Sequence, residues 1–415
     1  MSLRRREKPK LVVFDVEGVI IPKNRYLFDV SRNLGFLQSA RTVFYGTLYA
    51  LGVISLKSAM KYVFKFLEGS REDDLLQTFR RIPLMPGSKE AFENLRNQGC
   101  KTALISSGLP TFIVQDLART LKADYAYGFE PGAKEGVLTG EIRGDVIEHE
   151  GKLTFLTKLL DEEHLTPEEC AVVADDRNNA SILLPGALKI GYNPDFVVRF
   201  RADCIVTGNL REVASVINGQ TRRNRNPPTK NDVLREIIHA CGITMPLLSI
   251  LVGLYPIALF ILSVTSLYIV SELALMEKRN LPIISSITRH AVTAEEDYGF
   301  RAAPIFFAFG ILLTLLLFPL PASGAAIAAF SLGDSAATIF GKTLGRHTLP
   351  FNKGKTLEGS LTGFIAAFLA ATVFINPLKA LLGATVAMLI ESLPLPINDN
   401  LAVPIVTGLV LSLIR

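Results

Sequence analysis

The chain has 415 residues, too many for one ordinary domain, and a formal net charge of +5. Its mean hydropathy of +0.33 with 20% charged residues averages over two unlike parts. Four cysteines, Cys100, Cys170, Cys204 and Cys241, make neither a CxxC pair nor a metal-ligating spacing, which excludes a cysteine-built scaffold and fits isolated thiols in a reducing compartment. The start is basic, Arg4-Arg5-Arg6, but the apolar run from Leu11 to Phe14 is too short for a signal-peptide core.

Up to about Gln220 the text is that of an α/β protein. Residues 10–20 form an apolar strand run that ends in two carboxylates two apart, Asp15 and Glu17. Ligands of open α/β sheets sit beyond the carboxyl ends of strands. One acid there can attack phosphorus, while the second protonates the leaving oxygen and then activates water. The plainer reading is a pair of acids that merely ends a strand. Between Lys23 and Ile82 lies a mostly helical insertion with Phe36, Leu37, Phe44, Tyr45, Leu48, Tyr49 and Leu51, and with Lys57, Lys61 and Lys65 at four-residue intervals. It reads as an apolar face closing over the site, or as a cap admitting an isoprenoid or lipid phosphate. Residues 101–108 are a strand ending in the Ser106 hydroxyl and a flexible turn, suited to a phosphate oxygen. Lys152 opens a helix, where it could neutralise a phosphoryl group. Residues 171–176 are a further strand ending in paired acids, Asp175 and Asp176, as a Mg²⁺ site needs.

In this order the set resembles the haloacid dehalogenase superfamily of aspartate-nucleophile phosphatases, in its phosphoserine-phosphatase-like branch. The resemblance covers roughly 8–218 and includes Pro83-Leu84-Met85-Pro86-Gly87 ahead of the second motif. It implies an α/β Rossmann-like fold with a helical cap at about 23–82. It also implies Asp15 as nucleophile, Glu17 as acid and base, Ser106 as phosphate ligand and Lys152 as charge neutraliser. Asp175 would join Asp15 and the Glu17 carbonyl around Mg²⁺. Two positions depart from the pattern. Glutamate stands where aspartate is usual, and the fourth motif reads Arg177-Asn178-Asn179 rather than ending in Asn-Asp, which weakens metal binding unless Asp176 substitutes. A degenerate, phosphate-sensing domain is the alternative.

Residues 221–236 read as a basic linker, carrying Arg222, Arg223 and Arg225. Beyond it no Asp, Glu, Lys or Arg occurs from Ile237 to Ser271, from Ala302 to Gly333 or from Gly359 to Leu378. Spans of about 20 apolar residues cross a bilayer. The expectation is an all-α polytopic membrane domain of about seven helices, near 237–254, 256–274, 301–319, 322–341, 358–376, 378–394 and 399–414. Pro246 and Pro256 leave a single re-entrant hairpin open for the first two. Lys278, Arg279 and Arg289 in one loop, and Lys342, Arg346, Lys353 and Lys355 in another, place these loops and the N-terminal domain in the cytoplasm by positive-inside bias.

Asp334 stands inside one of these apolar stretches. A carboxylate there costs about 2.5–3.5 kcal/mol on insertion scales, so it has a task or a partner. The run Leu332-Gly333-Asp334-Ser335-Ala336-Ala337 is followed by Gly341, Lys342, Gly345, Arg346, Lys355 and Glu358, then by Glu391, Asp399 and Asn400. Asp334 and Glu358 could hold Mg²⁺, and Lys342, Arg346 and Lys355 could bind a triphosphate. Singly, Glu391 or Asp399 could be a helix-end charge reaching water, and His347 an interfacial residue. Together they resemble the dolichol kinase and phytol kinase family, most clearly over 325–415, with Leu234-Arg235-Glu236-Ile237-Ile238-His239 a looser echo upstream. That resemblance implies CTP as phosphoryl donor and a polyprenol or other isoprenoid alcohol as acceptor. Asp334, Lys355, Glu358 and Asp399 are its foremost nucleotide-metal residues.

The whole chain then reads as a bifunctional membrane enzyme, a phosphomonoesterase joined to a CTP-dependent kinase. A cytidylyltransferase forming a CDP-lipid, and a kinase regulated by a non-catalytic domain, are the alternatives. No nucleic-acid partner is expected, and oligomeric state is left open.

Overall fold

The computed structural model describes residues 8–23, 25–50, 54–144, 150–219, 228–276, 303–352, 354–395 and 397–414. The chain divides into two compact units, Met1–Arg222 and Arg223–Arg415.

The first unit is built on strands β1 (Leu11–Asp15), β2 (Lys101–Pro110), β3 (Tyr125–Lys134), β4 (Val137–Arg143), β5 (Cys170–Ala174), β6 (Leu188–Tyr192) and β7 (Cys204–Val206). They lie in the order β4-β3-β2-β1-β5-β6-β7, with β4 antiparallel to β3 and the other described pairs parallel. Every residue of β1 is buried. Val12 and Phe14 enter one apolar core with Phe92, Leu95 and Ile113, while Leu11 and Val13 enter another with Leu156, Leu159 and Leu160. A parallel strand covered on both faces has no polar alternation to show, which is why 11–14 is uniformly apolar. From β1 the chain proceeds to β2 on one side and returns to β5 on the other. The crevice of the sheet therefore opens where β1 and β5 end. Phe14 pairs with Val173, so Asp175 leaves the sheet one step beyond the level of Asp15.

Helices α1 (Arg25–Asn33), α2 (Phe36–Ala50), α3 (Leu56–Lys65) and α4 (Glu72–Arg80) occupy the interval between β1 and β2, followed by α5 (Ser88–Asn97). Ser55 caps α3, its hydroxyl accepting the Ser58 N–H at 3.1 Å. Met60, Val63 and Phe64 turn inward from α3, and Phe64 meets Phe129 of β3 edge-on at 4.8 Å. That contact seats the helical insertion on the sheet. The remaining helices are α6 (Thr111–Leu121), α7 (Gly151–Glu162), α8 (Phe196–Arg201) and α9 (Arg211–Ile217).

The second unit is helical: α10 (Lys230–Ala240), a 3₁₀ turn (Cys241–Ile243), α11 (Thr244–Val252), α12 (Leu254–Met276), α13 (Ala303–Leu317), α14 (Leu320–Leu344), α15 (Leu357–Ala371), α16 (Pro377–Ser392) and α17 (Asp399–Leu413). Three stretches, Lys230–Val252, Leu254–Glu272 and Leu320–Leu344, are long and apolar enough to cross a membrane, by length and composition. Helix begins at Lys230, inside the segment that reads as linker. The reason is local: Thr229 Oγ1 accepts the Asp232 N–H at 3.1 Å, and Asp232 Oδ2 accepts the Thr229 N–H at 2.9 Å, a reciprocal cap. Arg222, Arg223, Arg225, Lys278, Arg279, Arg289 and Lys353, on which the expected linker and cytoplasmic orientation partly rest, lie outside the described residues.

Helices α14 and α15 approach closely through small residues. A Cβ added at Gly363 would come within 2.7 Å of the Gly333 carbonyl oxygen and 2.8 Å of the Ala337 Cβ. Close helix crossings of this kind require small side chains. Gly363→Leu should therefore lower the stability of the second unit by about 1–3 kcal/mol or more, as overpacking does. Thermal unfolding of the purified full chain measures it; an unchanged midpoint would contradict this packing.

Candidate active site

Asp15 ends the central strand and is 4% exposed. An ionised carboxylate so placed needs partners. Its Oδ1 accepts the Val16 N–H at 2.9 Å and the Lys152 ammonium at 2.8 Å, and its Oδ2 accepts the Asn179 amide at 2.6 Å. Lys152 sits in the first turn of α7 and also donates to Asn179 Oδ1 at 2.7 Å. Burial opposes the Lys152 charge, but the adjoining Asp15 carboxylate holds its ammonium above the usual lysine range. Asn179, fully buried, is thus a hub that bridges Lys152 and Asp15, and its amide also reaches Asp176 Oδ1 at 3.0 Å and Asp175 Oδ1 at 3.3 Å. In sequence it reads only as the residue standing where an acid is usual.

Asp15, Asp175 and Asp176 each present a carboxylate oxygen, and the three lie within 4.8 Å of one another. Hard oxygen donors at this spacing fit Mg²⁺. Asp176 is one of the three, and the Glu17 carboxylate is not part of this group. Lys23 lies on the pair, its ammonium 3.1 Å from Asp175 Oδ2 and 2.6 Å from Asp176 Oδ2. Burial pushes the Asp175 carboxyl well above the usual range, against the pull of Lys23. Asp176 is held low despite burial because it takes the closer contact with that ammonium. Sequence reading passed over Lys23, since nothing in its local pattern points toward strand β5.

Two adjoining cavities open over these groups. The smaller, about 100 Å³, reaches Asp15, Glu17, Lys23, Ser107, Gly108 and Lys152 from below, and Leu27, Leu56, Ala59, Met60 and Val63 from the helical insertion above. The larger, about 650 Å³, is lined by Lys57, Lys152, Arg177 and Arg201 along with Tyr49, Ser107 and Glu150. The Tyr49 hydroxyl of α2 donates to Asn178, and Arg177 donates to the Tyr49 carbonyl at 3.1 Å, so the insertion grips the loop after β5 directly. Ser106 is buried, and its hydroxyl accepts the N–H groups of Gly108 at 3.2 Å and Leu109 at 3.0 Å. Ser107 rather than Ser106 lines both cavities.

The residues expected in the second unit divide into separate groups. Lys355 bonds the Glu391 carboxylate and lies 3.5 Å from Asp399 Oδ2. Asp334 instead faces His239, 3.6 Å from its Nε2, with Glu236 in reach. Glu358 turns away from both, accepting the His347 N–H at 3.2 Å and contacting the His347 ring at 2.7 Å. Lys342 pairs with Asp232 at 2.8 Å. Gly341 and Gly345 lie against Thr356, and Arg346 is exposed. Asn400 places its side-chain oxygen 3.4 Å from His239 Nε2.

With this geometry in hand, comparison with known proteins is informative for the first unit. Residues 12–178 match the model of the haloacid dehalogenase-like hydrolases. The N-terminal half carries a domain of that family, similar to phosphoserine phosphatases. The phosphoserine phosphatase of Methanocaldococcus jannaschii is 25% identical over 213 residues, which are 51% of this chain and 99% of that protein. That of Archaeoglobus fulgidus is 29% identical over 218 residues, 52% of this chain and 62% of that protein. That of Idiomarina loihiensis is 32% identical over 143 residues, 34% of this chain and 64% of that protein. A solved phospho-aspartyl intermediate analogue of phosphoserine phosphatase is 23% identical with a TM-score of 0.46, covering 51% of this chain and 99% of that one.

Burial, then the neighbouring Asp15 charge, pushes the Glu17 carboxyl up to about 7. A carboxyl raised on folding contributes stability at pH below its ordinary range, and that contribution is lost as pH rises through 7. From 4.5 to about 7, the difference is about 3 kcal/mol. Glu17→Gln should therefore leave unfolding unchanged at pH 4 and stabilise the first unit by up to that amount at pH 8. Scanning calorimetry of the full chain with chelator present reads this out, and equal midpoints at pH 8 would show that Glu17 is not held protonated by its surroundings.

Proposed function

We propose that the first unit is a phosphomonoesterase acting through a phosphorylated Asp15. The observation that carries this reading is the fixing of the Asp15 carboxylate by Lys152, Asn179 and the Val16 N–H at the open end of the sheet. Asp15 attacks phosphorus and the ester P–O bond breaks. Glu17, protonated near neutral pH, gives its proton to the departing alcohol oxygen. Water then attacks the acyl phosphate, Glu17 takes a proton from it, and phosphate leaves with Asp15 regenerated. Lys152 and Ser107, which line the cavity, would meet the charge that the phosphoryl group carries. Mg²⁺ held by Asp15, Asp175 and Asp176 would supply charge neutralisation for that group.

The roof of the smaller cavity supports an apolar alcohol portion, as in a prenyl or other lipid phosphate, because Leu27, Leu56, Ala59, Met60 and Val63 meet it. The relatives named above carry phosphoserine in their names, so the two substrates are the informative pair. Asp15→Asn should cut turnover by at least about 10³-fold, and brief reaction with ³²P-labelled ester should label the wild-type chain alone. Undiminished turnover in that variant would remove the covalent reading, whereas a clear preference for phosphoserine over prenyl phosphate would remove only the apolar-alcohol part.

A second reading concerns the second unit, and the Lys355–Glu391–Asp399 group with Asp334 nearby favours it. There we infer a membrane-embedded, Mg²⁺-dependent kinase that transfers phosphate from CTP to an isoprenoid alcohol at the cytoplasmic surface. A cationic side chain bonded to two acids at the ends of apolar helices is costly in lipid without such a task. Labelled CTP and a panel of prenols should give labelled prenyl phosphate and CDP with wild type, and none with Asp334→Asn. Release of pyrophosphate instead of CDP would reassign the unit to cytidylyl transfer.

A further inference from the structure

We propose that Glu236, His239 and Asp334 form a binding site for a divalent transition cation of the Mn²⁺ class, with the Asn400 side-chain oxygen beside it. Each of the three residues offers a ligand atom, and these atoms lie within 4.8 Å of one another. The site joins α10 to α14; the resemblance to lipid-alcohol kinases assigns Asp334 to a nucleotide-metal site with Glu358, which turns away, and gives Glu236 and His239 no role. It requires no nucleotide chemistry to exist.

The imidazole is built for this role. Its ring is clamped between Phe307 and Phe330, with centroids 4.3 and 4.8 Å away. Nδ1 lies 3.4 Å from the Ser331 carbonyl oxygen and 3.5 Å from Ser335 Oγ; the carbonyl can only accept and the Ser335 hydroxyl spends its single proton on a backbone carbonyl, so Nδ1 is the donor. A metal-bound histidine commonly gives its second ring N–H to such a carbonyl, which fixes the tautomer and aims the other nitrogen. Here that nitrogen, Nε2, points at Asp334 Oδ2, 3.6 Å away, and at Asn400 Oδ1, 3.4 Å away. The Asn400 amide nitrogen is turned to the Ala303 carbonyl, so the oxygen is the atom that faces the ring. In the neutral imidazole a lone pair therefore meets two acceptor oxygens, with the Glu236 carboxylate adjoining. Only a cation, or a proton on Nε2, makes that convergence favourable.

Two further observations favour the cation. Glu236 is 3% exposed, so its charge lies out of reach of bulk water; Arg235 engages its Oε1 at 2.9 Å. Beyond Asp334, Glu391 is 2% exposed and its Oε2 has no hydrogen-bond partner, although Lys355 holds the other oxygen. Arg235 answers Glu236 and Lys355 answers Glu391, which leaves the Asp334 carboxylate and the open Glu391 oxygen as the anionic atoms that an added cation would meet. The donor set selects among metals. An imidazole with carboxylate oxygens suits Mn²⁺ and its first-row neighbours better than Mg²⁺ or Ca²⁺, which take oxygen alone.

The test uses the purified full chain in detergent, with Mn²⁺ and no nucleotide. The Asp15 group is all-oxygen, so nitrogen coupling to Mn²⁺ reports this site alone. Equilibrium dialysis should find two Mn²⁺ per wild-type chain, and pulsed EPR should show ¹⁴N modulation from imidazole. His239→Gln should abolish the modulation and weaken the second Mn²⁺ at least about tenfold. Asp334→Asn, nearly isosteric, should weaken it similarly while the first Mn²⁺ stays bound and the helical circular dichroism of the chain is unchanged, which shows that the second unit is folded. A wild-type chain with no ¹⁴N modulation, modulation that persists in His239→Gln, or unchanged Mn²⁺ affinity in Asp334→Asn would each overturn the proposal. The last two would leave His239 and Asp334 as a simple protonated ion pair.

Discussion

An anionic side chain at the buried end of a parallel strand is unfavourable unless the rest of the fold answers it, and Asp15 is answered from far along the chain. Lys152 arrives on the first turn of α7, and Asn179 on the loop after β5. The two also bond each other, so the carboxylate, the ammonium and the amide form one closed arrangement rather than three separate contacts. Removing one member of such a set leaves the others buried and unsatisfied, a larger loss than the contact itself. The sheet order serves this arrangement. Because β5 lies next to β1, the loop after β5 reaches Asp15 across a single strand spacing.

The second unit solves a different problem with different means. Its helices approach through glycine and alanine, as at Gly333, Ala337 and Gly363, while Glu391 and Asp399 lie at helix ends and Asp334 stands within α14 beside that crossing. Two polar centres result from this packing. One pairs Lys355 with Glu391 and Asp399, and the other sets His239 against Asp334. Neither resembles the Asp15 centre, in which one carboxylate is held by an ammonium and an amide that also bond each other.

Residues at strand ends were readable from the sequence, and residues that arrive from turns were not. Asp15, Glu17, Asp175 and Asp176 announce themselves as acids closing apolar runs, and Lys152 as a cation opening a helix. Asn179, Lys23 and Tyr49 follow no such rule, because their convergence depends on how separate turns fold over one another. In the second unit the helices were legible from the charge-free runs, but their start at Lys230 was hidden by a polar composition that the Thr229–Asp232 cap turns into helix. Glu358 shows the limit of grouping by spacing alone. It stands two residues after the Thr356 cap of α15 and bonds back to His347, away from Asp334.

The ammonium of Lys23 on Asp175 and Asp176 bears on the order in which this centre is assembled. Many small metal-binding folds stay open until the ion arrives, because their clustered anions repel one another. Here the chain brings its own positive charge to the acid pair, so the polypeptide can close in a chelator as readily as in a metal-rich solution. An ion entering this centre would exchange with a tethered amine instead of organising the loops around itself, so its supply would bear on the proposed chemistry more than on whether the chain stays folded.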